Sequence, residues 1–295
     1  MTYSVLERKD IYMVSKKGLI MEGGAMRGMF TAGVIDVLME NGIEFDGGIG
    51  VSAGAVFGCN YKSKQVGRVI RYNTRFCKNP KYCSIRSLIK TGDLYGADFC
   101  YRRIPEELDV FDYETYKTNK MEFYVVCTDA VTGKTIYKKS ETGDREEIEW
   151  MRASASMPMV SNVVKIDGYH LLDGAITDSI PLKYFESIGY NKNVVILTQP
   201  MGYVKKEISL MPLMRLSLRK YPQAFKALKK RHIMYNDTIR YITEKEKSGA
   251  IFVIRPEKSL GIGHVEHKSE KLIEVYEEGR RIAEKHLEEI KNFLG

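Results

Sequence analysis

The sequence predicts an α/β protein whose mainly parallel central sheet carries helices on both faces, with additional helices towards the C-terminus. Three observations carry this expectation. Short apolar runs of strand length alternate with segments whose apolar residues recur at helical spacing. The first sixty residues run strand, helix, strand, helix, an order that calls for parallel strands joined by crossovers. Glycine-rich loops follow the first two strands, at the edge where open α/β sheets bind ligands.

The run from Lys17 to Glu22 (KGLIME) is stopped by glycines and suits a buried strand entering a loop. From Met29 to Asn41, Phe30, Val34, Val37 and Leu38 share one helical face, and Asn41-Gly42 supplies the stop. FDGGIGVSAG resumes as a strand, and AVFGCNY follows as a helix small enough to pack against a sheet. A helix near Val66 to Phe76 precedes an irregular stretch with Pro80, Gly92, Gly96 and Pro105, and residues 65–116 are expected to cap the site. Met121 to Asp129 and Lys134 to Lys139 read as strands around AVTG, and REEIEWMRAS as a helix. VVKIDGYHLLDG reads as a hairpin turning at Asp167-Gly168. A helix after Pro181, strands at NVVILTQ and AIFVIRP, a basic segment from Leu213 to His232 and a helix from Ser269 complete the chain. No linker separates a second unit, so 1–295 is expected to form one domain, with the motifs in about 17–185 and further strands and helices in 186–295.

Composition narrows the function classes. With 44% hydrophobic and 28% charged residues, a globular fold with a sizeable core is expected. The 46 Lys+Arg against 38 Asp+Glu give +8, enough to favour an anionic surface yet far from a nucleic-acid-binding extreme. The opening MTYSVLERKD lacks the apolar core of a signal peptide, and no run is long enough to span a bilayer, so a cytoplasmic protein is expected. Five scattered cysteines support neither a disulfide framework nor a zinc site, so no metal is expected.

The chemistry begins at Gly50-Val51-Ser52-Ala53-Gly54, a G-x-S-x-G between a strand and a helix. On a sharp turn with small neighbours, Ser52 would project its hydroxyl, while Gly50 and Gly54 supply room and the helix start supplies backbone N–H donors, that of Ala53 first. The pattern is weak alone and needs a second constellation. Gly23-Gly24-Ala25-Met26-Arg27-Gly28 offers one, with Gly23, Gly24 and Ala25 as N–H donors to a developing oxyanion. A dinucleotide fingerprint is the rival for this loop, with Glu44 or Asp46 as its acidic partner. It fits badly, because Ala25 stands where glycine is needed and Asp46 opens the second strand.

A serine hydroxyl needs a base. Asp173 leaves a short apolar run and precedes Gly174 and Ala175, so it sits where a strand enters a tight loop. Asp129, Asp167 and Asp46 have adequate turn or strand-end explanations. A conventional triad would instead add a histidine after the acid, such as His264 or His267. Against it, the glycine-rich loop here follows the first strand, whereas the α/β-hydrolase oxyanion loop follows the third.

Taken together, EGGAMRG, GVSAG and DGA, in this order, resemble the patatin-like phospholipases. CTDAVTGK and RASASMPMV are similar to two further segments of that family, so the likeness spans about Leu19 to Leu182, and SLGIGHVEHK resembles the ending of bacterial members. The resemblance implies a three-layer fold and a lipid acyl hydrolase with a Ser52–Asp173 dyad, no histidine and no cofactor. Its substrate would be a lipid or another ester, and Arg27 would orient the loop or a headgroup. Ala25 departs from the third glycine of the family's loop. LMRLSLRKYPQAFKALKKRH, with Leu216, Leu218, Phe225 and Leu228 among basic residues, is expected either to lie on an anionic membrane or to form a solvated helix face.

Overall fold

The computed structural model describes residues 15–295; the segment MTYSVLERKD lies outside them. Strand β1 (Lys16–Met21), helix α1 (Gly28–Glu40), β2 (Gly47–Val51) and α2 (Ala53–Lys62) form the expected opening. Then come α3 (Arg68–Phe76), α4 (Ile85–Thr91), a π-helical segment (Phe99–Leu108) and α5 (Tyr113–Thr118). Next are β3 (Glu122–Asp129), β4 (Thr135–Ser140), α6 (Arg145–Ser154), β5 (Val164–Ile166) and β6 (Tyr169–Asp173). The chain ends with α7 (Leu182–Ser187), β7 (Tyr190–Ile196), α8 (Met211–Ser217), α9 (Pro222–Lys247), β8 (Ile251–Ile254), α10 (Ser269–Lys285) and α11 (Leu287–Leu294).

The eight strands make one sheet in the order β5-β6-β3-β2-β1-β7-β8, with β4 paired on β3. β3, β2, β1, β7 and β8 are parallel neighbours, whereas β4 and the β5–β6 hairpin attach antiparallel. The architecture is a three-layer α/β/α sandwich with a mixed, mostly parallel sheet. Alternation along the strands builds the two cores. Leu19 and Met21 of β1, with Val194 and Ile196 of β7, join the core beneath α1, α2 and α10. Ile20, Ile49, Val51 and Val195 join the core beneath α7 and α9 on the other face.

Glycines make one crossing unusually close: a methyl on Gly33 of α1 would lie 2.0 Å from the Tyr276 carbonyl of α10, and one on Gly279 would lie 2.1 Å from the Phe30 carbonyl. This lets α10 lie on α1. The hairpin turn is as expected, with φ of 49° at Asp167 and 78° at Gly168, the double positive that Asp-Gly tolerates.

Three segments take definite form. Residues 65–116 hold three short helices and a π-helical turn, with Tyr72, Tyr82, Phe99 and Ile104 buried in the core. Pro222 opens α9 at its first position, where its missing N–H costs nothing, so the basic segment is divided between α8 and α9. Within the basic segment, Leu218 and Leu228 are buried and Phe225 is packed against the same small core. Only Leu216 of the four named leucine and phenylalanine side chains remains largely exposed. Among the described residues no helix is long and apolar enough to cross a membrane.

Candidate active site

Parallel pairing of β1 with β2 (Met21 opposite Gly50) brings the two glycine-rich loops side by side at the strands' C-terminal edge. Ser52 caps α2 with φ 54° and ψ −125°, a backbone state that L residues occupy only when the surroundings force it. The forcing groups are visible. A methyl on Gly54 would lie 2.3 Å from the Met21 carbonyl, and one on Gly50 would lie 2.3 Å from the Gly54 carbonyl, so only glycine allows α2 to start this close to β1 and β2. Ser154 finishes the clamp: its Oγ accepts the Ser52 N–H at 2.8 Å and donates to the Val126 carbonyl at 2.6 Å.

Gly23 abuts the serine, since a methyl there would come within 2.9 Å of Ser52 Cβ. Gly24 packs against Thr198 and Gly28 against Phe57 and Ala53. Ala25 has φ 49°, in the left-handed region that glycine occupies at no steric cost, so the alanine adopts a conformation for which glycine is the easier residue. Among the described residues no protein acceptor meets the N–H of Gly23, Gly24, Ala25 or Ala53. The loop is anchored from below by Glu22, a residue whose role is not legible in the sequence. Its buried carboxylate accepts the Thr198 N–H at 2.6 Å and the Tyr235 hydroxyl at 2.7 Å.

Asp173 ends β6, where Cys127 of β3 is its register partner. Gly174 follows tightly against the Val126 carbonyl. The carboxylate is 1% exposed, and its Oδ1 accepts the Ala175 N–H at 2.8 Å. Burial raises its pKa to about 6; the Arg231 charge, the Ala175 N–H and the Ser52 hydroxyl oppose the rise. Ser52 and Asp173 are therefore neighbours, and Arg231 of α9 sits beside them, its Nε donating to the Ala175 carbonyl at 2.7 Å.

The rival residues lie elsewhere. His267 Nδ1 meets the Cys77 carbonyl at 2.6 Å, His170 Nδ1 meets the Tyr221 hydroxyl at 3.0 Å, and His264 lines a separate recess with Arg27. Asp129 binds its own turn through Val131 and Thr132, Asp167 accepts from Trp150, and Asp46 accepts the Lys17 N–H at the opposite end of β2. That end of the sheet is the wrong one for a ribose contact. All five cysteines are free, and among the described residues no three His, Cys, Asp or Glu side chains group as a metal site.

Beside Ser52 opens a cavity of about 140 Å³ lined by Ala25, Met26, Phe57, Tyr101, Ile104 and Met151 among others. Its walls are largely apolar and come from the glycine loop, α2, α6 and the 65–116 region. The arrangement offers a strained alcohol, a buried carboxylate, free main-chain N–H groups and an apolar slot at one sheet edge.

The family described as patatin-like phospholipase matches residues 19–186, more than half of the chain, and a domain of unknown function (DUF6363) matches 221–295. An uncharacterised Escherichia coli protein, YjjU, is 27% identical over 264 residues, covering 82% of this chain and 69% of that one. The Caenorhabditis elegans patatin-like phospholipase domain-containing protein M110.7 is 28% identical over 191 residues, covering 61% of this chain but only 16% of its own length. Among solved structures, VipD from Legionella pneumophila superposes with TM-score 0.43 at 13% identity, over 92% of this chain and 67% of that one.

Proposed function

Because the chain belongs to the patatin-like phospholipase family, we propose that it is a serine lipid acyl hydrolase using a Ser52–Asp173 dyad. The observation that carries the proposal is the strained Ser52 elbow, pressed against Gly23 and beside the buried Asp173 carboxylate.

Asp173 takes the Ser52 proton as Oγ attacks the ester carbonyl. The resulting oxyanion accepts hydrogen bonds from the N–H groups of Gly23, Gly24, Ala25 and Ala53, each such donor lowering the barrier by about 3 kcal/mol. The C–O bond to the alcohol breaks, the protonated Asp173 returns its proton to the leaving oxygen, and an acyl-Ser52 ester remains. Water then attacks that ester, giving its proton to Asp173, and the fatty acid departs as Ser52 regains a proton. The apolar cavity holds the acyl chain meanwhile. A base with pKa about 6 is ionised at neutral pH yet basic enough to share a proton in the transition state.

Residues 186–295 belong, in this proposal, to the same unit as the motifs, since β7 flanks β1 and α9 supplies Arg231. In this proposal the enzyme is cytoplasmic, and its net charge of +8, with exposed Leu213 and Leu216 beside Arg215 and Arg219, supports peripheral contact with an anionic membrane. A fluorophosphonate probe should label Ser52, and Asp173→Asn should abolish ester hydrolysis. Labelling elsewhere, or full activity in the Asn variant, removes the dyad. Loss of activity in His267→Ala equal to that in Asp173→Asn would favour a triad instead.

A further inference from the structure

The glycine-rich loop has two sides. Ala25 and Met26 face the acyl cavity, whereas Arg27 lines a separate polar recess of about 200 Å³ with Lys205, Arg231 and His264. The four come from four places in the chain: the loop after β1, the loop after β7, helix α9 and the segment before α10. Three of them lie outside the 19–186 segment that the family comparison covers.

Like charges gathered in a half-buried recess repel one another unless an anion joins them. Among the described residues none of the four forms an ion pair, whereas Lys245 and Arg255, elsewhere in the fold, pair with Glu186 and Glu246. Two carboxylates act on these cations: Glu22 is already engaged by Thr198 and Tyr235, and Asp173, beside Arg231, is turned to the Ala175 N–H and Ser52. Arg27 Nε is buried and meets no acceptor in the protein. Burial, followed by the charge of Arg231, brings the Lys205 ammonium down to about 8, and burial followed by the charge of Arg27 also lowers His264.

The recess is held in shape. The Lys205 main chain is clamped by Asn236 in both directions, at 2.9 and 3.0 Å, and its Nζ lies 4.3 Å from the Tyr235 ring centre. The His264 carbonyl accepts the Tyr95 hydroxyl at 3.0 Å, tying this wall to the wall of the acyl cavity. Donors drawn from four parts of the chain suit a tetrahedral oxyanion, whose oxygens point in different directions, better than a planar carboxylate.

We propose that Arg27, Lys205, Arg231 and His264 form a binding site for a phosphate group, set beside the reacting centre on the far side of the oxyanion loop. Two sources share that chemistry: the phosphodiester of a lipid headgroup and free inorganic phosphate. If the hydrolase reading holds, the first source is favoured, because a glycerophospholipid places its phosphate only a few bonds from its ester carbonyls. Arg231 touches both regions, since it also holds the Ala175 carbonyl next to Asp173.

The test is direct binding by the full chain carrying Ser52→Ala, so that turnover plays no part and the site is judged independently of the hydrolase reading. Inorganic phosphate and glycerophosphocholine are titrated separately by calorimetry. At least one should bind at millimolar concentration or better, and Lys205→Gln and His264→Gln should each weaken it about tenfold, the size of one charge-assisted hydrogen bond. Lys205→Arg should restore most of the affinity, which a merely misfolded recess would not. Tighter binding of glycerophosphocholine identifies a headgroup subsite; tighter binding of phosphate identifies a site for the free ion. No binding of either, or binding indifferent to Lys205→Gln and His264→Gln, overturns the proposal.

Discussion

Replacing Asp173 by Asn should destroy activity and, at the same time, stabilise the fold. The carboxylate is buried, and its pKa rises from 3.8 to about 6. Between these values the folded state holds the proton more tightly than the unfolded state, so stability falls as pH rises through that window. Above pH 6 the cost is fully present, about 2 pKa units or about 3 kcal/mol. At pH 5 only about half of it applies. Asn carries no charge to desolvate, its Oδ1 can keep the Ala175 N–H, and its NH₂ can donate to the Ser52 hydroxyl. Urea unfolding of both proteins at pH 5 and pH 8 should show the variant ahead by about 1.5 and about 3 kcal/mol respectively. A variant no more stable than the parent at pH 8, or a gain independent of pH, would refute the view that Asp173 is a desolvated carboxylate held in place for chemistry.

Other outcomes follow from the same geometry. Ser52→Gly should be more stable than Ser52→Ala by about 1 kcal/mol, because glycine occupies φ 54°, ψ −125° without strain; equal unfolding midpoints would mean that the elbow stores nothing. The acid limb of kcat/KM should have its midpoint near pH 6, and Arg231→Met should move it upward, since the Arg231 charge holds the Asp173 pKa down; an unmoved midpoint separates Arg231 from the base. With a cavity of about 140 Å³, close to one that elsewhere holds a six-carbon ring, kcat/KM for chromogenic esters should climb up to about 4-fold per methylene until roughly six carbons, then flatten. A flat series from acetate onwards would detach the cavity from the acyl chain.

How far the site can be read without coordinates depends on sequence separation. The elbow, the Asp167-Gly168 turn and the β1-to-α2 opening are legible because glycine spacing and strand-length apolar runs impose them locally. Asp173 is legible for the same reason: it leaves an apolar run straight into Gly174. Glu22 and Arg231 are not, since Glu22 looks like an ordinary strand end and Arg231 is one of several cations in a basic run. Their roles arise only when α9 packs across the sheet and brings Tyr235 to Glu22 and Arg231 to Ala175. Beyond α3, which is legible near Val66 to Phe76, the region up to 116 hides its helices because Pro105 sits within a π-helical turn and Gly92 closes α4, breaking the periodicity on which a sequence reading relies. The basic segment left two readings open, and packing separates its residues: Leu218 and Leu228 fill a small core against β6 and the 174–176 turn, while Leu216 stays outside.

The covalent step admits the most direct test. The full chain is mixed with a short-chain phospholipid, quenched in acid within one turnover and digested, and the peptide containing Ser52 is weighed. The account expects that peptide to be heavier by one acyl group, with the increment absent from Ser52→Ala. Hydrolysis proceeding through many turnovers with no acyl adduct at any quench time, or an adduct on a different side chain, would contradict it.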